Sequence, residues 1–280
     1  MVKNIKELFL YISKSLKEYS PDTYNFETFE LLEFGMGIKK FDYPLYAEKQ
    51  VYKNEFEKMQ ELLKRRLSGE PLQYILGSWE FYGLPLKVGE GVLIPRADTE
   101  IIADKSIELI KKFGYKSGAD LCSGSGALAI ALAEYTDIEN IYAVEISDKA
   151  FPYLKENIKL NEIKKVKAVN EDIFNWNLKE KLDIIVSNPP YIPTADIESL
   201  AKEVKKEPMM ALDGGEDGLY FYREISKRFY EKINNGGALV FEIGINQYED
   251  VMNIMKSIGY NDVNYENDLC NIPRCVWGIK

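Results

Sequence analysis

Three amphipathic stripes at helical spacing occupy the first third of the chain, and residues that favour the end of a helix follow each of them. A helix with one apolar face must bury that face against a neighbour, so the stripes predict a small helical bundle. We place this domain at residues 1–77. The stripes run from Ile5 to Leu16, from Phe26 to Leu32 with an end near Gly35 and Gly37, and from Phe56 to Leu67.

An alternating pattern, typical of strands, follows in residues 78–97. Apolar residues from Leu84 to Val88 alternate with others, Gly89-Glu90-Gly91 offers a turn, and Val92-Leu93-Ile94 continues beyond it. This pattern predicts a β-hairpin, with Pro85 confining its strand to an edge because proline has no N–H to donate. We interpret the hairpin as the connector between two domains.

Helical and strand patterns alternate through residues 98–280, as is typical of a parallel sheet covered by helices on both faces. Asp98 or Thr99 is expected to cap the first helix, and Gly114 to end it. The predicted fold class is therefore α/β, with a doubly wound, mostly parallel sheet and a small N-terminal helical bundle. The predicted strands are 118–122, 140–146, 166–170, 182–187 and 238–243, with strand-like stretches at 263–265 and 274–278.

Histidine is absent from all 280 residues, which excludes several kinds of chemistry. Neither a Ser-His-Asp nor a Cys-His nucleophile system can form, and no imidazole can act as a base. The three cysteines cannot complete a four-ligand Cys/His zinc site, so no metal site is predicted, and their odd number fits a reducing compartment. No apolar run is long enough for a signal peptide or a membrane span, so we expect a cytoplasmic protein.

Ligands of open α/β sheets bind beyond the carboxyl ends of the strands, and two of these ends suggest a nucleoside site. The first predicted strand runs through Asp120 into a glycine-rich turn, which by itself is equally consistent with a plain strand–helix turn. Glu145 follows the next strand, 19 positions after Gly126, where a carboxylate suits a ribose diol. The pairing favours a nucleoside ligand. The turn consists of Cys122, Ser123, Gly124, Ser125 and Gly126.

Two later strand ends extend the candidate site. Asp172 could accept a hydrogen bond from an adenine amino group, with Ile173 or Phe174 against the base, although an aspartate that caps a helix would give the same pattern. The fourth buried strand leads into Asn188-Pro189-Pro190-Tyr191. Prolines hold such a loop extended, so the Asn188 side-chain carbonyl and the Pro189 backbone carbonyl can both face one planar NH2 donor. Tyr191 offers a face for a planar group to pack on.

These motifs resemble those of class I S-adenosylmethionine-dependent methyltransferases that act on planar amide or amino nitrogens. Three further segments narrow the resemblance to the release-factor glutamine methyltransferases of the PrmC/HemK type, and it covers nearly the whole chain. Those segments are Gly69 to Gly77, Val92 to Glu100, and Glu207 to Leu219.

The resemblance implies a role for each matching position. It assigns the cofactor S-adenosyl-L-methionine, with S-adenosyl-L-homocysteine as product, to residues 122–126, to Glu145, to Asp172 with Ile173, and to Asn188. Asn188 to Tyr191 would hold the substrate amide, with Asn188, Pro189 and Tyr191 as the catalytic group. Cys122 stands where the family usually has glycine, Glu145 where aspartate is common, and Met209 where arginine is frequent.

The implied substrate is the glutamine of the Gly-Gly-Gln motif in peptide chain release factors, with residues 1–77 recognising the factor and residues 98–280 forming the methyltransferase domain. A glutamine of a ribosomal protein, an adenine amino group in DNA, and cofactor binding without turnover are the alternatives. Residues 1–75 hold 12 Lys/Arg and 12 Asp/Glu, and residues 76–280 hold 24 against 33. Neither part has the net positive charge of a nucleic-acid-binding surface, so no nucleic-acid partner is expected.

Overall fold

The computed structural model describes residues 2–280, and the chain separates into two compact units. The first comprises the residues up to Gly77 together with Lys202–Lys206, and the second comprises Ser78–Ala201 with Glu207–Lys280. A short segment from the middle of the second unit's sequence thus belongs to the first unit. Within residues 2–280, no helix combines the length and apolar character that a membrane crossing requires.

The first unit is helical, as its three stripes predict. Gly37 ends the second helix in the left-handed conformation, with φ of 68°. Gly35, predicted to end that helix, lies inside it, where an added Cβ would come 2.2 Å from the Met59 sulfur. The glycine therefore allows two helices to pack closely. The helices are α1 (Ile5–Tyr19), α2 (Tyr24–Met36), α3 (Tyr43–Tyr46), α4 (Lys53–Leu67) and α5 (Leu72–Leu76).

The hairpin exists, but the predicted pairing of its strands is wrong. Strand β2 (Leu84–Lys87) pairs with the preceding β1 (Ser78–Phe81), and residues 92–94 form no strand. The reason is the two-residue turn Tyr82-Gly83, whose φ angles of 54° and 75° give the twist that closes a tight hairpin. The hairpin belongs to the second unit.

The second unit is built on a seven-stranded sheet in the order β5-β4-β3-β6-β7-β9-β8. The first five strands in that order are parallel, and β9 and β8 add antiparallel neighbours, which confirms the doubly wound, mostly parallel α/β prediction. The strands are β3 (Ser117–Leu121), β4 (Asn140–Val144), β5 (Val166–Val169), β6 (Leu182–Ser187), β7 (Ile233–Glu242), β8 (Asn261–Asn267) and β9 (Pro273–Ile279).

Helices cover both faces of this sheet because successive strand residues point to opposite sides. Ile184 and Val186 contribute to the core under α6, α7 and α8, whereas Ile185 lies in the core under α9 and α10. All residues of α7 from Ala127 to Ala133 are buried. The helices are α6 (Glu100–Phe113), α7 (Ala127–Tyr135), α8 (Phe151–Leu160), α9 (Tyr220–Phe229) and α10 (Tyr248–Ile258).

The start of α6 differs from its prediction. Thr99 occupies the N-cap position but makes no capping hydrogen bond, and its hydroxyl donates to the Glu242 carboxylate at 2.6 Å. A hydrogen bond to a charged carboxylate is stronger than one between neutral groups at a helix end, so the Thr99 side chain turns toward the sheet. The predicted end at Gly114 is confirmed, with φ of 69°.

Candidate active site

The carboxyl ends of the parallel strands meet in one row. The register places Leu121 opposite Val144 on one side and opposite Ser187 on the other, and Ser187 pairs in turn with Phe241. The residue that follows each of these therefore lies at the same edge of the sheet. Those residues are Cys122, Glu145, Asn188 and Glu242.

The turn after β3 is shaped by three left-handed residues. Cys122, Gly124 and Gly126 have φ angles of 61°, 54° and 84°. Ser123 fixes the turn from inside, donating from its hydroxyl to the Asp120 carbonyl at 2.7 Å and from its N–H to the Val144 carbonyl at 3.0 Å. Cys122 thus occupies a conformation that glycine adopts without strain, which explains why glycine suits this position.

Glu145 is tied to the glycine-rich turn by its carboxylate. Oε2 accepts from the Gly124 N–H and Oε1 from the Ser147 N–H, each at 2.7 Å. Burial raises the pKa of Glu145, and these backbone hydrogen bonds oppose the rise. Each carboxylate oxygen retains a lone pair, so the Glu145 carboxylate can accept hydrogen bonds from two hydroxyl groups of a ligand.

Asp172 stabilises its own turn. Oδ1 accepts from the Phe174 N–H at 2.9 Å and Oδ2 from the Asn175 amide at 2.8 Å. Ile173, which follows, is buried. The aspartate therefore holds a local turn, and no helix follows it as the capping alternative supposed; it also lines the cleft beside an apolar side chain.

A hydrogen-bond network that the sequence did not predict holds the Asn188 side chain in place. Its Nδ2 lies 3.4 Å from the Thr99 hydroxyl oxygen, and that hydroxyl donates to Glu242. The Tyr191 hydroxyl donates to the other oxygen of Glu242 at 3.2 Å. Glu242 offered one signal in the sequence, a charged residue within a predicted buried strand, and Thr99 lies in one of the segments that carried the family resemblance.

A cleft of about 300 Å³ runs along this row of strand ends. Most of the predicted site residues line it, whereas Gly126, Pro189 and Tyr191 do not. The predicted residues along it are Cys122, Ser123, Gly124, Ser125, Glu145, Asp172, Ile173, Asn188 and Pro190.

Two of the segments that carried the family resemblance form another wall of the cleft. Buried Glu207 accepts from the Ile94 N–H at 3.0 Å and pairs with the Arg96 guanidinium, which joins the two segments. Their apolar residues face the cleft, so the bonds of buried Glu207 hold an apolar wall in place. The wall includes Leu93, Pro95, Pro208, Met210 and Ala211.

The glycines of the third segment allow it to lie against the loop that begins at Asn188. The Ile192 N–H donates to Leu212 at 2.9 Å, and the Gly214 N–H donates back to Ile192 at 2.8 Å. Gly218 has φ of 71°, and an added Cβ would lie 2.4 Å from the Tyr191 carbonyl oxygen. The segment therefore supports the backbone of Tyr191 and Ile192.

We expect Gly218→Ala to destabilise the second unit by about 2–4 kcal/mol, because it combines an unfavourable φ with a backbone clash. It should also lower any activity of the cleft by displacing Tyr191. Thermal denaturation and an activity assay check this. Gly236→Ala is the matched control, since Gly236 has φ of 81° and open space around the Cβ position. Equal effects of the two variants would show that the contact with Tyr191 is unimportant.

Comparisons with known proteins divide the chain in a similar way. A family model described as the PrmC N-terminal domain matches residues 7–77, and one described as the methyltransferase small domain matches residues 105–216. A methyltransferase from Pyrococcus furiosus shares the fold, with a TM-score of 0.53, 16% identity, and coverage of 71% of this chain and 90% of that one. The predicted class I methyltransferase fold is thus confirmed.

Curated relatives are similar over most of their sequences. The release factor glutamine methyltransferase of Clostridium botulinum is 38% identical over 285 residues, covering 99% of each chain. That of Thermodesulfovibrio yellowstonii is 39% identical over 90% of this chain and 92% of the relative. That of Fusobacterium nucleatum is 45% identical over 83% of this chain, which spans only 66% of the relative's length. The chain belongs to the release factor glutamine methyltransferase family.

Proposed function

We propose that this enzyme transfers a methyl group from S-adenosyl-L-methionine to the side-chain amide nitrogen of the glutamine in the Gly-Gly-Gln motif of peptide chain release factors. The observation that carries the proposal is the position of Asn188. Its amide lies on the cleft at the end of β6, in the same row as the glycine-rich turn and Glu145. An amide acceptor beside a nucleoside-binding site is the arrangement that methylation of a planar NH2 group requires.

The chemistry of the cleft fits the cofactor. Glu145 offers carboxylate oxygens for the ribose diol, and the turn from Cys122 to Gly126 lets a ligand approach the backbone. Asp172 offers an acceptor for the adenine amino group, and Ile173 an apolar surface for the ring. The cleft volume of about 300 Å³ lies at the lower end of the range for small-molecule sites.

When bound, S-adenosyl-L-methionine supplies a methyl group on a positively charged sulfur, which makes that carbon strongly electrophilic. The amide nitrogen is a poor nucleophile because its lone pair is delocalised into the carbonyl, so alignment is the main task of the protein. The Asn188 Oδ1, on the cleft, accepts one amide hydrogen and orients the nitrogen. We assign the other hydrogen to the carbonyl of Pro189, which follows Asn188 in the chain although the residue does not line the cleft. Positioning of this kind lowers barriers by roughly 7–11 kcal/mol in favourable cases.

This mechanism needs no strong base before transfer, which agrees with a sequence that has no histidine. The proton of the methylated amide can leave to water afterwards. For Tyr191, predicted from the sequence to offer a face to the substrate, we propose a role in the loop. It does not line the cleft, and its hydroxyl is bonded to Glu242, so we assign it to support of the loop.

The helical unit is proposed to bind the body of the release factor while residues 98–280 carry out transfer, with residues 78–97 between them. The cytoplasm, where translation factors act, is the proposed location. The mass shift of the Gly-Gly-Gln peptide after incubation with purified enzyme and cofactor tests the function. We expect one methyl group, 14 Da, on the glutamine of an intact release factor. No transfer to the factor, but transfer to ribosomal protein or to DNA adenine, would contradict the proposal.

A further inference from the structure

The Asn188 amide presents its donor end to Thr99. The atom that faces Thr99 Oγ1, at 3.4 Å, is Nδ2. An amide has its oxygen and its NH2 group on opposite branches, so fixing one branch fixes the direction of the other. With Nδ2 committed to Thr99, the oxygen is the end that remains for a ligand.

Glu242 explains why Thr99 acts as an acceptor toward Asn188. A hydroxyl has one hydrogen, and that of Thr99 is directed to Glu242 Oε2 at 2.6 Å. Its oxygen then offers only lone pairs to Asn188, and only the NH2 end of the amide can satisfy them. The direction of the whole chain of hydrogen bonds is therefore set by an acceptor at its far end.

Glu242 is itself firmly placed. Glu242 is 2% exposed, and its Oε1 accepts a hydrogen bond from the Tyr191 hydroxyl. The positive charge of Arg274 favours the ionised form of Glu242. Burial raises the pKa of Glu242 to about 7, while the bonds from Thr99 and Tyr191 oppose the rise. In its ionised form, which the two hydroxyl donors and Arg274 favour, Glu242 accepts hydrogen bonds and donates none, so the Thr99 hydrogen is directed to it.

We propose that Glu242, acting through Thr99, is a positioning residue that turns the Asn188 oxygen toward the substrate amide. The inference rests on the proposed function, since it assigns an orientation to the residue that receives the substrate. The reversed amide would present an NH2 group to the NH2 group of glutamine, and two donors repel. Glu242 does not line the cleft, whereas Thr99 does, and in this role both act through the Asn188 side chain.

The test compares Thr99→Val with Thr99→Ser. Valine keeps the shape and removes the hydroxyl, so Asn188 loses its acceptor and its orientation. We expect kcat for release factor to fall about 100-fold, with a much smaller change in KM, because misorientation of this kind costs about that factor. Serine keeps the hydroxyl and should restore kcat to within several-fold of the wild type. Binding of S-adenosyl-L-homocysteine should be similar in both variants.

Thr136→Val provides a matched control for the loss of a buried hydroxyl. Thr136 is 6% exposed and donates to the Leu132 carbonyl at 2.6 Å, away from the cleft. It should lower the melting temperature and leave kcat unchanged. If Thr99→Val and Thr99→Ser lose equal activity, or if Thr99→Val behaves like Thr136→Val, the hydroxyl of Thr99 has no positioning role.

Glu242→Met completes a double-mutant cycle. Methionine is similar in size and removes the acceptor, so we expect a loss in kcat close to that of Thr99→Val and little further loss when the two are combined. Fully additive losses would overturn the proposal. Crystal structures give a readout independent of activity. Asn188 should leave its position or occupy two rotamers in Thr99→Val, and an unchanged side chain contradicts the orientation mechanism even if methylation of release factors fails in every variant.

Discussion

Asn188→Ala is expected to reduce methyl transfer to release factor by at least about 100-fold while leaving S-adenosyl-L-homocysteine affinity within several-fold of the wild type. The variant removes the side-chain acceptor that orients the glutamine amide. The cofactor retains the turn from Cys122 to Gly126, Glu145 and Asp172. Single-turnover kinetics measure the first quantity, and calorimetric titration of the product measures the second.

Glu145→Ala is the reciprocal variant. It removes the acceptor for the ribose diol and the partner of two backbone N–H groups, so cofactor affinity should fall while Asn188 stays in place. Equal loss of cofactor binding in Asn188→Ala and Glu145→Ala would contradict the division of roles. It would place Asn188 mainly in the cofactor site.

Arg66→Met should destabilise the helical unit by about 3–5 kcal/mol, because it leaves the buried Glu27 carboxylate without its charged partner. The Arg66 side chain is 4% exposed and bonds Glu27 through two nitrogens, at 2.6 and 3.0 Å. It also pairs with Glu203 at 2.7 Å and lies 4.9 Å from the centre of the Tyr19 ring. Burial favours the neutral form of Glu27, but the hydrogen bonds from Arg66 and Thr23 hold its pKa below the usual range.

Denaturant unfolding and limited proteolysis measure this effect. Cleavage should begin within the first 77 residues and in the segment Lys202–Lys206, which belongs to the same unit. Arg65→Met is the matched control, since Arg65 is 37% exposed and its pairing with Glu70 should contribute about 0–1 kcal/mol. Glu27→Gln combined with Arg66→Met should recover part of the loss. Equal stability of the two single variants would show that the Arg66 cluster is dispensable.

Local patterns predicted most of the elements because their causes are local. The stripes of the first unit require only that residues three and four apart lie on one side of a helix. The five parallel strands read as apolar runs because both faces of the sheet are covered. Gly114 ends α6 because glycine adopts the left-handed conformation without strain, which is a property of one residue.

The hairpin shows where local reasoning fails. Gly89-Glu90-Gly91 and Tyr82-Gly83 both look like turns, and only the second closes a pair of strands. In the structure Val92 and Ile94 are buried, and the Ile94 N–H bonds Glu207, far away in sequence. Burial of these residues against distant parts of the chain outweighs the alternation that predicted a strand.

The sequence by itself determined the helical bundle, the α/β sheet and the strand ends that carry Glu145, Asp172 and Asn188, because each follows from periodicity or from a motif of neighbouring residues. Only the tertiary structure decided which residues hold the Asn188 side chain. Thr99 lies 89 positions from Asn188 and 143 from Glu242, and their meeting depends on strand order, register and the path into α6. Hydrogen-bond direction depends on which atoms come within 3.5 Å of one another, and that distance is fixed only when the layers pack.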